Sequence, residues 1–106
     1  MTSYDYVIIQ TTTDTAAIAD ELAAGAVELH LAACVQISQV NSYYRWEDGV
    51  QNDQEYLLSF KTSATAVQGL KEYLAAHHPY DEPEIIVLPI IDGSRGYLQW
   101  ITNSIS

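Results

Sequence analysis

The chain has 106 residues, of which 48% are hydrophobic, and this fits a single globular domain over residues 1–106 with a small core. Fourteen acidic residues against four Lys and Arg give a formal net charge of −10. Because nucleic acids and anionic membranes are bound mostly through Lys and Arg, this charge argues against both partners and favours cations in general.

The sequence shows no feature of export or membrane insertion. No apolar run reaches the roughly 18 residues of a membrane-spanning helix, and residues 1–10 lack the basic start and cleavage pattern of a signal peptide. Cys34 is the single cysteine, so no internal disulfide forms, which agrees with a reducing compartment. We therefore expect a soluble, intracellular protein.

A strand and a helix are predicted first. Residues 4–12 (YDYVIIQTT) are rich in β-branched and aromatic side chains, which is typical of a strand. Residues 15–30 form the predicted first helix, and Thr13 or Asp14 can cap its first free amides. Apolar residues recur through this helix at helical spacing, at Ile18, Leu22, Ala26 and Leu29.

A long hairpin follows, with strands predicted at residues 32–46 and 50–61 because both segments have the composition of extended chain. Asp48 and Gly49 form a dipeptide favoured in two-residue hairpin turns, where both residues need positive φ. The apolar alternation of the first of these strands shifts by one near residues 38–39, and we predict a β-bulge there.

The second helix is predicted to begin after Thr62 or Ser63, either of which can cap it. It ends within residues 77–84 (HHPYDEPE), because the residue before Pro79 avoids helical geometry. Pro83 keeps the chain extended toward the next strand. The carboxylates of this stretch are predicted to lie in a solvated connection.

A fourth strand at residues 84–91, in which Pro89 indicates an edge position or a break, and a short helix at residues 94–102 complete the chain. The order β-α-β-β-α-β predicts an α+β fold of the ferredoxin-like, split βαβ type. In this fold an antiparallel sheet carries two main helices on one face. Here the second and third strands would form the long hairpin, and the short helix would follow at the C-terminus.

The hairpin is predicted to be longer than the helices that cover it. Strands of about 12 residues span nearly 40 Å, whereas a sixteen-residue helix spans about 24 Å. The hairpin should therefore project by roughly 15 Å, and a projecting two-stranded ribbon is marginal in water unless its edges are covered. We predict an obligate homo-oligomer.

Three segments resemble the signature blocks of the CutA divalent-cation tolerance family. They are LAACVQI at residues 31–37, SYYRWEDGVQNDQEYLLSFKT at residues 42–62 and HHPYDEPEIIVLPIIDGSRGYLQW at residues 77–100. The resemblance implies a cytoplasmic homotrimer of ferredoxin-like subunits, related in architecture to the PII signalling proteins. It also implies that Cu(II) or another divalent cation binds loosely or transiently, with a link to metal tolerance.

Three residues are candidate metal ligands. Cys34 is the first candidate for copper, because thiolate is a strong ligand for soft ions and trimer symmetry could gather three copies; the alternative is a small buried hydrophobic residue. His77 and His78 are the other candidates. Adjacent helical residues point about 100° apart, so both could bind one ion only if the end of the helix frays. Histidine in the last turn also interacts favourably with the helix dipole, and a purely structural role is therefore the alternative.

A second candidate site lies on one face of the hairpin. With Asp48-Gly49 as the turn, Ser42 would oppose Glu55, Tyr44 would oppose Asp53 and Trp46 would oppose Gln51. This face is predicted to be either a subunit contact or a ligand cleft between subunits, because aromatic walls with a few polar groups are typical of small-molecule pockets. The cleft residues would be Tyr44, Trp46, Glu55 and Lys61.

The sequence contains no phosphate-binding glycine loop, nucleophile elbow, HExxH or CxxC motif, and we expect no enzymatic activity. Three functions stay open at this point. The first is a metal-responsive, copper-binding homotrimer, the second a PII-like signalling module with a small ligand between subunits, and the third a structural trimer that serves as a scaffold.

Overall fold

The computed structural model describes residues 4–105. Within them lie four strands and three α-helices, and a 3-10 turn at Ala64–Ala66 precedes the second helix. In chain order the elements are β1 Tyr6–Thr13, α1 Ala16–Glu28, β2 Cys34–Trp46, β3 Gly49–Ser63, α2 Val67–His77, β4 Ile86–Pro89 and α3 Arg95–Ile105. The strands form one antiparallel sheet in the order β2-β3-β1-β4, which confirms the predicted ferredoxin-like α+β fold.

The core lies between one face of the sheet and the helices α1 and α2. Alternate residues of β1 and β3 point to this face, because successive side chains of a strand lie on opposite sides of the sheet. The buried apolar residues include Val7 and Ile9 of β1, Leu58 and Phe60 of β3, Leu22 of α1, and Leu70 and Leu74 of α2. The helices therefore cover the sheet where β1, the last half of β3 and the start of β2 provide an apolar surface.

Helix α1 is capped by Thr15, not by Thr13 or Asp14 as predicted. Thr15 has extended backbone angles, φ −129° and ψ 146°, and its hydroxyl accepts a hydrogen bond from the Ile18 amide at 3.3 Å. Only a residue that directly precedes the helix can reach this amide, because the cap bonds to the third helical residue. The helix ends at Glu28, and His30 reverses the chain with φ 60°.

The hairpin turn lies one residue earlier than predicted. Glu47 and Asp48 are its central residues, with φ 48° and 63°, and Gly49 is paired with Trp46. The pairing then continues without interruption to Cys34 and Lys61, so the β-bulge prediction is wrong. The shift in apolar pattern has a simpler cause, since the end of β2 lies beyond the helices and neither of its faces belongs to the core.

The cross-strand pairs differ from the prediction by two residues. Ser42 opposes Asp53 rather than Glu55, and Tyr44 opposes Gln51 rather than Asp53. Because a shift of two keeps every side chain on its original face, the predicted set still shares one face of the hairpin. The members of that set are Ser42, Tyr44, Trp46, Asp53 and Glu55.

The hairpin projects from the sheet, as the strand lengths predict. β1 pairs with β3 only from Tyr56 to Ser63, so residues 40–46 and 49–55 form a two-stranded ribbon. We call this segment the ribbon. It contributes to the elongated shape of the molecule, which measures 45 × 30 × 22 Å.

Helix α3 lies against the face of the sheet opposite the core. The Tyr6 and Thr102 hydroxyls are hydrogen-bonded, and Ile101 is fully buried. Lys61 of β3 donates to the Tyr97 hydroxyl at 3.4 Å. No helix within residues 4–105 is both long and apolar enough to cross a membrane.

Thr11 provides a test of this core. Its hydroxyl is fully buried and has no hydrogen-bond partner among residues 4–105, whereas the equally buried Thr62 hydroxyl donates to the Leu31 carbonyl at 2.7 Å. An unpaired buried hydroxyl costs free energy, so we expect Thr11→Val to raise the free energy of unfolding by about 1 kcal/mol. The matched substitution Thr62→Val should lower it by about 1 kcal/mol.

Urea denaturation at one fixed protein concentration measures both changes. A loss of stability in Thr11→Val similar to that in Thr62→Val would mean that the Thr11 hydroxyl is hydrogen-bonded after all.

Candidate acidic cleft

A cleft of about 1020 Å³ lies between the ribbon and the segment that follows α2. It exists because β1 ends at Thr13 while β3 continues past it, which leaves the inner edge of the ribbon without a neighbouring strand. Residues 80–84 approach this open space from the other side. We call it the acidic cleft, since six carboxylates line it: Asp14, Asp53, Glu55, Asp81, Glu82 and Glu84.

The ribbon wall carries a tyrosine–carboxylate pair. The Tyr44 hydroxyl donates a hydrogen bond to Oδ2 of Asp53, and Trp46 lines the same wall. This hydrogen bond raises the pKa of Tyr44, because the hydroxyl proton is held by a carboxylate; burial and the charges of Asp53 and Glu55 act in the same direction. Tyr44 therefore stays protonated well into the alkaline range.

A second pair of this kind joins the opposite wall to the ribbon. The Tyr80 hydroxyl donates to Oε2 of Glu55 at 3.4 Å, which connects the segment after α2 to β3. Burial raises the pKa of Tyr80 to about 12, and the negative charges of Asp14 and Glu55 add to this effect. One tyrosine–carboxylate pair therefore lies within the ribbon wall, and the other spans the cleft.

The charge of the acidic cleft is negative throughout. None of the described residues that line it is Lys, Arg or His. Converging carboxylates without a counter-charge concentrate cations from solution, and their oxygens are the ligands that hard divalent ions prefer. The carboxylates are spread out, however: residues 4–105 contain no group of three or more His, Cys, Asp or Glu placed to hold one metal ion. The cleft of a single chain fits attraction of cations rather than tight chelation.

Similarity to known proteins identifies the family. The profile of the CutA1 divalent ion tolerance protein family matches residues 7–104, nearly the whole chain. The chain belongs to the CutA1 family. The divalent-cation tolerance protein CutA of Thermus thermophilus is 47% identical over 88 residues, which cover 82% of this chain and 85% of that protein.

Other CutA proteins extend the comparison. The chloroplastic CutA of Arabidopsis thaliana is 47% identical over 85 residues, 79% of this chain, and the match spans about half of that longer protein, 47%. The structure of CutA from Synechococcus elongatus PCC7942 superimposes with a TM-score of 0.95 at 38% identity, covering 100% of this chain and 95% of that one. The same protein complexed with Bis-Tris gives a TM-score of 0.89 at 38% identity, covering 98% and 97%.

The predicted metal ligands lie apart from one another in this CutA1 chain. Cys34 is the first residue of β2, is partly buried and is paired with Lys61. His77 is exposed at the end of α2, where its ring contacts the Tyr73 ring at a centroid distance of 4.7 Å. The structure of one chain therefore does not bring Cys34 and the two histidines together.

His78 is buried, and its two ring nitrogens are both hydrogen-bonded. Nε2 lies 2.7 Å from the Thr12 carbonyl oxygen, and Nδ1 accepts a hydrogen bond from the Tyr80 amide at 3.1 Å. A metal ion could bind either nitrogen only after one of these bonds is broken. The structure thus gives His78 a different environment from the one expected of a free ligand.

The four residues predicted to form the ligand cleft do not all lie together either. Tyr44, Trp46 and Glu55 line the acidic cleft, but Lys61 does not. Lys61 lies six residues further along β3, about 20 Å away at 3.3 Å per residue, with its ammonium 5.4 Å from the centroid of the Tyr97 ring. Within one chain, three of the four residues come together.

Sequence reasoning missed the wall formed by residues 80–84. The signal is present in HHPYDEPE, where Tyr80 is followed by Asp81, Glu82 and Glu84. These three carboxylates are exposed, as predicted for a solvated connection, but the prediction gives them no part in a cleft. Their role depends on how the segment lies against the ribbon, which is a long-range contact without a local sequence pattern.

Tyr80 predicts a pH dependence of stability. Its pKa is about 12 in the folded chain and about 10 in the unfolded chain, so between these values the unfolded chain releases a proton that the folded chain retains. Stability should therefore fall as the pH rises from about 10 to about 12. In Tyr80→Phe this decline should be shallower, as measured by urea denaturation across that range. If stability declines equally steeply with pH in the two proteins, the pKa of Tyr80 is not raised by folding.

Proposed function

We propose that this CutA1 chain forms a cytoplasmic homotrimer that binds divalent cations reversibly and takes part in the response to metal ions, without enzymatic activity. The observation that carries the proposal is the acidic cleft, which six carboxylates line without a basic residue among the described lining. A net charge of −10 strengthens the attraction of cations over the whole surface. Membership of a family named for divalent ion tolerance agrees with it.

Copper is the proposed physiological ion, and two kinds of donor are available for it. The carboxylates of the acidic cleft supply oxygen ligands and would capture hydrated cations. The Cys34 thiolate supplies a soft ligand, which favours copper over most other ions. In a homotrimer three Cys34 residues are present, so a site shared between subunits would have more donors than one chain offers.

The homotrimer is supported by surfaces that one chain leaves open. No strand within residues 4–105 pairs with the outer edges of the ribbon, and the large apolar residues Tyr43, Trp46 and Val50 are strongly exposed on it. Ile91, which follows β4, is 76% exposed. Exposed large apolar residues and open strand edges are typical of contacts between subunits.

Light scattering at micromolar concentration tests the assembly. We expect the mass of three chains, and substitution of Val50 and Trp46 by Ser should shift the population toward smaller species because apolar area is lost. A parent protein that stays monomeric would refute the homotrimer.

Calorimetric titration with Cu(II) tests the cation site. We expect the double substitution Asp53→Asn and Glu55→Gln to weaken binding about tenfold, since it removes two cleft carboxylates. The matched control Asp20→Asn with Glu72→Gln removes the same charge from the exposed faces of α1 and α2 and should change the affinity far less. Cys34→Ser measures the contribution of the thiolate separately.

Equal, weak binding in all four proteins would mean nonspecific attraction to an acidic surface and would refute the proposed site. Binding that is lost only in Cys34→Ser would show that the thiolate, and not the cleft, holds the ion.

A small-ligand, PII-like signalling function is the second candidate. It is favoured by one observation, the complex of Synechococcus elongatus CutA with Bis-Tris, an amine that carries several hydroxyl groups. The acidic cleft has the volume of a small-molecule site and aromatic residues in its walls. The test repeats the titrations described above with Bis-Tris in place of Cu(II). Heat from Bis-Tris that disappears in the cleft variant, with no preference for Cu(II), would favour this function.

A further inference from the structure

The outer edge of β1 is incompletely covered by β4. The two strands are paired only from Val7 to Gln10, where β4 begins at Ile86. Beyond Gln10 no strand within residues 4–105 hydrogen-bonds this edge of β1. At Thr12 the partner of this edge is the buried side chain of His78 instead of a strand. Its Nε2 lies 2.7 Å from the Thr12 carbonyl oxygen.

The two bonds of His78 define its protonation. A carbonyl oxygen only accepts, so Nε2 carries the hydrogen that is donated to Thr12. An amide N–H only donates, so Nδ1 is the unprotonated nitrogen that accepts from Tyr80 at 3.1 Å. A neutral imidazole combines one donor and one acceptor on a rigid ring, and here it connects the end of β1 to the backbone of the cleft wall.

The connection continues through the side chain of Tyr80. The rings of His78 and Tyr80 pack edge to face with centroids 4.7 Å apart, and the Tyr80 hydroxyl donates to Glu55 on β3. The segment after α2 is thus attached to both β1 and β3, on either side of the cleft's closed end. Its carboxylates at residues 81–84 directly follow the attached residue.

We propose that His78 is a positioning residue of the acidic cleft. Among the described residues that line the cleft, His78 is absent, whereas Thr12 and Tyr80, to which it is hydrogen-bonded, are present. It holds Tyr80, and with it the carboxylates of residues 81–84, at the distance from the ribbon that defines the cleft. The expected effect on ligand binding rests on the proposed function. The role of His78 in holding the segment does not.

Two substitutions separate the two bonds of His78. In His78→Gln the longer amide keeps a donor near the position of Nε2 and loses the acceptor for the Tyr80 amide. In His78→Asn the shorter side chain keeps an acceptor near Nδ1 and loses the donor to Thr12. The control is His77→Gln, since the adjacent histidine is exposed and contacts the Tyr73 ring instead.

Amide hydrogen exchange of the assembled protein is the first measurement. We expect exchange of the Tyr80 amide, whose hydrogen bond is accepted by Nδ1 of His78, to become about tenfold faster in both His78 variants, while the amides of Ile9, Leu58 and Phe60 in the core keep their rates. In His77→Gln all rates should stay unchanged. A uniform increase over the whole chain would show that His78 contributes only to global stability, and no increase at Tyr80 would show that it does not hold the segment; either result would overturn the proposal.

Calorimetric titration with Cu(II) and with Bis-Tris is the second measurement. Whichever probe binds the cleft of the parent should bind the His78 variants about fivefold more weakly, and His77→Gln as well as the parent. Unchanged affinity together with faster local exchange would overturn the positioning role. If neither probe binds the parent cleft, the proposed function fails, and the exchange measurement still decides whether His78 holds the wall.

Discussion

β3 is hydrogen-bonded to β2 from Gly49 to Lys61 but to β1 only from Tyr56 to Ser63, and most other features of the molecule follow from this difference. Where β1, β3 and the two helices overlap, the strands have an apolar face and a closed core. Where β1 is missing, the hairpin continues as a ribbon that is exposed on both faces and has open edges. The acidic cleft occupies the space that a longer β1 would have filled.

The general architecture could be predicted because it depends on local patterns. Apolar residues repeat at helical spacing in α1 and α2, and the alternation of Tyr56, Leu58 and Phe60 in β3 matches a strand with one buried face. These patterns determine element type and order, and they led to the ferredoxin-like fold. The hairpin arms are also longer than the helices that cover them, so the projecting ribbon could be predicted from the sequence as well.

The details that failed depend on contacts between distant residues. Asp48-Gly49 is the favoured turn dipeptide, yet the pairing of β2 with β3 places Glu47 and Asp48 at positive φ, so the register of the whole hairpin overrides the local preference. The one-residue shift in the apolar alternation of β2 predicts a bulge only if the strand buries one face throughout, and the end of β2 does not. In the candidate site, Tyr44, Trp46 and Glu55 were found from their spacing, whereas Tyr80 joins them through a fold-level contact that no spacing shows.

The two tyrosines of the cleft have a consequence for the chemistry of whatever enters it. Each hydroxyl directs its only proton at a carboxylate, Tyr44 at Asp53 and Tyr80 at Glu55, and both stay protonated at neutral pH. Their remaining lone pairs are free to act as acceptors. Toward the interior of the cleft these phenols therefore resemble bound water molecules whose hydrogens are already engaged, so an entering group must bring positive charge or hydrogen-bond donors of its own.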